Sequence, residues 1–205
     1  MPEFARLLEG YRRYRHGRSA SDEARYARLE SEGQHPGLMV VSCSDSRVDP
    51  ELIFDVDPGE VFVVRNVAGL VPPHTANAWD GTAAAVDYAV GTLDVRQIVV
   101  LGHSRCGGCA TALGSRETGS DSLSLWVGLL SEERDRIETM ELAPAEAQRA
   151  MEEAAVHRSL ANLRTYPCVT AAEGRKSLHL HGCHFSIRNA NLTVLDEATG
   201  RFEPA

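Results

Sequence analysis

Residues 97–109 read QIVVLGHSRCGGC. Four consecutive apolar residues, Ile98 to Leu101, stop at Gly102 and give way to a histidine, two cysteines and a pair of glycines. A β-branched run without clean alternation suits a strand buried on both faces of a parallel sheet. The two glycines after Cys106 let the backbone bend sharply and lie close to a bound group. Two earlier runs have the same character, LMVVSC at 38–43 and EVFVVRN at 60–66. Between the second and third runs, WDGTAAAVDYAVGTL (79–93) keeps Ala83, Val86, Val90 and Leu93 on one helical face. This strand–helix–strand unit sets the fold class as α/β, with a mostly parallel central sheet flanked by helices.

Working outward, a helix from Asp121 carries Leu123, Trp126, Val127 and Leu130 on one face, and another runs from about Ala145 until Pro167 stops it. SLHLHGCHFSI and NLTVLDE, separated by RNA, are spaced for a closing hairpin. Residues 3–31 read as two helical segments, broken by HGRSASD with its capping-type serines and aspartate. Phe4, Leu7, Leu8 and Tyr11 lie at helical spacing there. The expected organisation is one domain over residues 1–205, with a helical arm (1–33) and an α/β core (34–205).

A chain of 205 residues with 43% hydrophobic content buries one sizeable core. Its formal net charge of −8 and isoelectric point near 5.5 leave no basic footprint for nucleic acid or an anionic membrane. The charged amino-terminal stretch lacks a signal peptide's apolar centre, and no window is long and apolar enough for a membrane helix. A cytoplasmic location is the expectation. Five cysteines, an odd number set in or beside apolar runs, argue against a disulfide framework.

The chemistry gathers at the ends of the apolar runs. Cys43 closes the first, His103 closes the third, and Cys106 follows on the next turn. Ligands collect outside the carboxyl ends of strands in open parallel sheets. If the first and third strands are neighbours, two thiolates and an imidazole converge. Three such ligands suit Zn²⁺ in a catalytic site with one position open. In CSDSRVDP, Arg47 can hold Asp45 in a bidentate fork, keeping the carboxylate off the metal and free to orient a bound hydroxide. Each residue has a plainer reading. A strand-end cysteine is commonly a core hydrophobe, and Ser44 and Asp45 could cap a short helix. Cys106 and Cys109 also have the spacing of a redox pair, which leaves Cys43, Asp45, Arg47 and His103 without roles.

CSDSRV (43–48), followed about sixty residues later by GHSRCGG (102–108), resembles the β-class carbonic anhydrases. The resemblance continues through PGEVFVVRNVAGLVPP, GTAAAVDYAV and SLHLHG. It implies one zinc ion per chain held by Cys43, His103 and Cys106, with Asp45 and Arg47 as the catalytic dyad. The implied reaction is reversible hydration of carbon dioxide to bicarbonate and a proton by attack of zinc-bound hydroxide. It further implies a substrate pocket of Gln34, Phe62, Val67, Tyr88 and the backbone N–H of Gly107. Gln34 and the Phe62/Tyr88 pair would come from different subunits of a homodimer, with the helical arm packing on the partner and dimers pairing into tetramers. A branch of the family that closes its zinc with the aspartate carries tryptophan where Val40 stands here, so the open form is expected. His74 is a weak candidate for proton transfer; Cys109, Cys168 and Cys183 read as structural. Gly69 stands where many relatives have asparagine, and Cys183-His184 where they have an aromatic pair. Two rival readings are a hydrolase of carbonyl sulfide or carbon disulfide on the same fold, and a non-catalytic zinc-binding module.

Overall fold

Parallel pairing of the three apolar runs is the centre of the molecule. In the computed structural model, which describes residues 2–76, 79–114 and 120–205, they form β1 (Leu38–Cys43), β2 (Val61–Asn66) and β3 (Gln97–His103). With β4 (His179–Phe185), β5 (Leu192–Asp196) and β6 (Arg201–Pro204) they build one sheet in the order β2-β1-β3-β4-β5-β6. The first four strands in that order are parallel, and β5 and β6 are added antiparallel. The chain runs from β1 out to β2, then crosses back over β1 to β3. The β1/β3 boundary is therefore the switch point of the sheet, where ligand crevices open in α/β folds.

Helices α3 (Pro50–Ile53), α4 (Gly81–Gly91), α5 (Gly107–Gly114), α6 (Asp121–Val127), α7 (Ser131–Glu138), α8 (Pro144–Leu163) and α9 (Pro167–Gly174) connect and cover the strands. Val86 and Ala89 of α4, Val156, Leu160 and Leu163 of α8, and Val169 and Ala172 of α9 pack on Met39, Val41, Ile98, Val100 and Leu180 of the sheet. A second apolar cluster sits beyond the strand ends. There Cys43, Cys106 and Cys109 are buried among Val48, Ala68, Leu70, Val127, Leu130 and Met151.

Two expectations change. Pro167 does more than end a helix: α8 stops at Leu163, and Pro167 is the first residue of α9, where a missing N–H is harmless. The sharp turn after β3 is made by Arg105, at φ 57°, whereas neither Gly107 nor Gly108 has positive φ. Gly108 serves close packing instead. A Cβ there would lie 2.8 Å from Ala68 Cβ and 2.9 Å from Val67 Cγ1.

The chain forms two compact units, Met1–His35 and Pro36–Ala205. In the first, α1 (Pro2–Gly17) and α2 (Ala20–Glu32) are joined at a capping box. Ser19 Oγ accepts the Asp22 N–H at 3.2 Å, and Asp22 Oδ2 accepts the Ser19 N–H at 2.9 Å. Tyr14 donates to Tyr26 across the pair. Phe4, Leu7 and Tyr11 are exposed by more than half.

Candidate metal centre

Cys43 ends β1 and His103 ends β3, and the two strands are hydrogen-bonded neighbours with Ser42 opposite Leu101. Parallel register therefore brings residues sixty positions apart to one edge of the sheet. Arg105's left-handed turn then folds Cys106 back over that edge. The two sulfurs and a ring nitrogen of His103 all lie within 4.8 Å of one another, and all three residues are buried.

His103 Nδ1 is 3.0 Å from the Ser104 carbonyl oxygen, which assigns the ring hydrogen to Nδ1. Nε2 is left as a buried nitrogen lone pair that, among the described residues, meets only the Cys43 thiol. A buried nitrogen so poorly paired is uncommon and asks for an occupant. The Cys43 and Cys106 sulfurs are 3.9 Å apart. Two thiolates on a tetrahedral zinc at about 2.3 Å each would stand roughly 3.8 Å apart. The donor set and its spacing fit zinc. Without metal both thiols stay protonated. Cys43 is pushed up to about 12 by the hydrogen bond it shares with Cys106 and by burial. Cys106 reaches about 12, chiefly through the neighbouring Cys109 thiol.

The loop after β1 joins Asp45 to Arg47. Arg47 Nε donates to Asp45 Oδ1 at 2.9 Å and Nη2 to Oδ2 at 2.6 Å, the fork expected from the sequence. The Arg47 N–H adds a bond to Oδ1 at 3.0 Å. Arg47 holds the Asp45 carboxyl well below the usual carboxylate range, against a smaller opposing effect of burial. Neither Ser44 nor Asp45 caps a helix; Asp49 does so, its side chain accepting the Glu51 N–H at the start of α3.

Arg65, which the resemblance places in the RN pair common to both branches of the family, ties this loop down. It donates to the carbonyl oxygens of Cys43, Asp45 and Val48 and to Asp49 Oδ2. A strand arginine aimed at carbonyls of residues 43, 45 and 48 has no periodic signature, so only the register of β2 beside β1 exposes it.

The structure divides the remaining candidates. Val67 follows β2 directly and touches the start of α5 at Gly108; its carbonyl accepts the Trp126 indole N–H at 2.7 Å. Gly107 is the first residue of α5, so its N–H lacks an acceptor within the helix. The Phe62 and Tyr88 rings meet tilted at 46° with centroids 5.9 Å apart, but not at this edge. Phe62 pairs with Met39, four residues before Cys43, or about 13 Å back along the strand. Gln34 belongs to the first unit. His74 is half-buried, edge-on to Tyr166. Cys109 and Cys183 are buried among apolar residues, and Cys168 donates to Asp87.

A buried polar group behind Cys106 escaped the sequence reading. Glu152 of α8 and His184 of β4 are almost wholly buried and joined at 3.1 Å. In the sequence Glu152 is one of two adjacent glutamates in a polar helix, which reads as a solvated face. Burial opposes the charge on Glu152, but donors from His184, Gln148 and the Cys106 N–H outweigh it and lower its pKa.

Residues 38–192 match the family model described as "Carbonic anhydrase". The chain is 35% identical over 196 residues to a carbonic anhydrase of Synechocystis sp., covering 93% of this chain and 70% of that one. The solved β-carbonic anhydrase CcaA superposes with a TM-score of 0.94 at 31% identity, over all of this chain and 93% of the other. A tetrameric β-carbonic anhydrase of the ascomycete Sordaria macrospora gives 0.79 at 27% identity, covering all of this chain and 97% of its own. A Coccomyxa β-carbonic anhydrase, solved with acetazolamide, gives 0.81 at 30% identity over 92% and 84% of the two chains. Sequence motifs, sheet topology and the cysteine–histidine–cysteine cluster agree: the chain belongs to the β-carbonic anhydrases, enzymes whose general reaction is the reversible hydration of carbon dioxide.

Proposed function

We propose that this carbonic anhydrase works at one zinc ion per chain, held by Cys43 Sγ, His103 Nε2 and Cys106 Sγ, with Asp45 and Arg47 as its catalytic dyad. The buried Nε2 of His103 between two thiols is the observation that carries the reading. Zinc in such a site supplies a Lewis acid that makes a water molecule nucleophilic near neutral pH.

The protein's own residues then do the orienting. Asp45 Oδ1 already accepts two hydrogens from Arg47, whereas Oδ2 accepts one. The remaining lone pair of Oδ2 accepts the hydrogen of the attacking oxygen and turns that oxygen's own lone pair toward carbon dioxide. Because Arg47 occupies both carboxylate oxygens, Asp45 is restrained from closing on the metal, and the open form is the resting form. Carbon dioxide, linear and apolar with weak acceptors at its ends, suits an apolar wall with few donors. Val67 and the Gly107 N–H supply part of that wall from the same chain. Phe62 and Tyr88 lie too far along the sheet to serve their own centre, so they line the pocket of a second copy. The exposed apolar stripe of the amino-terminal helices gives that second copy a surface to cover. Among the described residues no helix is long and apolar enough to cross a membrane.

Stopped-flow hydration of carbon dioxide at about pH 8–9, with metal content measured alongside, tests the proposal. We expect zinc near one per chain in both the unaltered protein and Asp45→Asn, with hydration lost only in the variant. Full zinc without hydration in the unaltered protein would overturn the mechanism, and full hydration by Asp45→Asn would remove the dyad from it.

A further inference from the structure

Helix α8 meets the sheet at a point of unusually close approach. A Cβ on Gly102 of β3 would lie 2.7 Å from Val156 Cγ2, and one on Gly182 of β4 would lie 2.8 Å from Val156 Cγ1. Val156 thus drops between two adjacent strands where neither has a side chain. One and two turns earlier on the same helical face stand Glu152 and Gln148. The seating of Val156 fixes how far they reach.

Both reach the main chain of Cys106. Glu152 Oε1 accepts the Cys106 N–H at 3.2 Å, and Gln148 Nε2 donates to the Cys106 carbonyl oxygen at 3.0 Å. Gln148 Nε2 also donates to Glu152 Oε1 at 2.7 Å, closing a ring around the residue. The outer oxygen of Glu152 accepts from His184 Nε2, whose Nδ1 in turn accepts from Arg149 Nη1 at 2.8 Å. Cys106 follows a non-glycine residue held at φ 57°, a conformation that its own turn does not favour. Ala110 N–H and Arg47 Nη2 donate to the Cys106 and Arg105 carbonyls, and the contacts from α8 add to these on the Cys106 backbone.

We infer that Gln148 and Glu152 are positioning residues for the metal centre, clamping the Cys106 backbone on both sides so that its sulfur stays aimed at the metal. The inference rests on reading Cys106 as a metal ligand. The clamp acts on the ligand's backbone and touches neither substrate nor metal. Its loss should therefore loosen one sulfur–metal bond while leaving the Cys43 and His103 bonds in place.

The test uses the metal-loaded protein. Zinc release to a competing chelator is timed for the unaltered chain, for Gln148→Ala and Gln148→Glu, and for Val169→Ala, a core truncation remote from the centre. Gln148 is only half-buried, so its variants should fold. Changes in residues supporting a metal ligand alter affinity about 10–100-fold. We expect zinc release to quicken about tenfold in both Gln148 variants and not in Val169→Ala. With cobalt in place of zinc, the sulfur-to-metal charge-transfer absorption should weaken in the Gln148 variants alone. Release and absorption unchanged in the Gln148 variants would overturn the clamp, as would equal acceleration in Val169→Ala. A Cys106→Ser control separates the two layers. If it retains zinc as firmly as the unaltered chain, the ligand assignment itself fails.

Discussion

Asp45 owes its ionisation to Arg47 more than to water, and the sign of its pH dependence follows. An unfolded aspartate titrates near 3.9, and the folded value lies below that. The fork therefore contributes stability fully present above about pH 4, lost as pH falls through the depressed folded value. Activity lost on mild acidification must come from another group. In metal-free Arg47→Ala the Asp45 carboxyl should titrate higher than in the unaltered chain by NMR, and the zinc-loaded variant should lose hydration tenfold or more. The thiols run the opposite way. Both stay protonated in the metal-free protein at pH 7, so loading zinc expels about two protons. Calorimetry in buffers of different ionisation enthalpy should count them, and affinity should climb as pH rises. Cys109→Ser should keep the metal and Cys106→Ser should lose it, which separates two thiols that the Cys-x-x-Cys spacing lumps together.

At the scale of elements, Gly108 is the most constrained point beside the centre. Gly108→Val would drive carbon into Ala68 and Val67 and prise α5 from the turn after β2. Overpacking of this kind costs about 1–3 kcal/mol, so thermal unfolding should show a midpoint several degrees lower, with zinc binding weakened. Gly107, which has no atom within 4 Å of a Cβ position, should accept alanine without that penalty. The two adjacent glycines look alike in the sequence, yet only the packing of α5 against the β2 turn tells them apart. Strands β1, β2 and β3 were legible to within a residue because each is an apolar run closed by turn residues. Helix α9 was hidden by Pro167, which stops one helix and starts the next with equal ease. The polar patch behind Cys106 was hidden because burial of Glu152 is a tertiary property: a glutamate's type and spacing do not reveal the histidine 32 positions later that meets it. The cysteine–histidine–cysteine cluster showed through since its chemistry is scarce, whereas Gln148 acts on backbone atoms and leaves no motif.

The whole molecule divides its proposed pocket between copies. Val67 and Gly107 stand at the metal edge, and the Phe62/Tyr88 pair stands about 13 Å back along the sheet. Tyr88, 45% exposed, packs against Phe62 on one side and leaves the rest of its ring open to solvent. We expect sedimentation to show a dimer or a multiple of one. Tyr88→Arg should lower hydration severalfold while each chain keeps its zinc. A fully active monomer would refute the shared pocket.

Crossing β1 on the way from β2 to β3 also sets an order on biosynthesis. The central strand emerges early but lacks its inner neighbour until residue 103 is out, and Cys43 has no metal-site partners before His103 and Cys106 appear. The support behind Cys106 comes later still, when α8 and then His184 leave the ribosome. Until β4 is made, β3 leaves one largely apolar edge of the nascent sheet unpaired, and such edges invite wrong partners. The proposed ligand set is thus complete by Cys106, before β4, β5 and β6 are made, and only the contacts behind Cys106 come late.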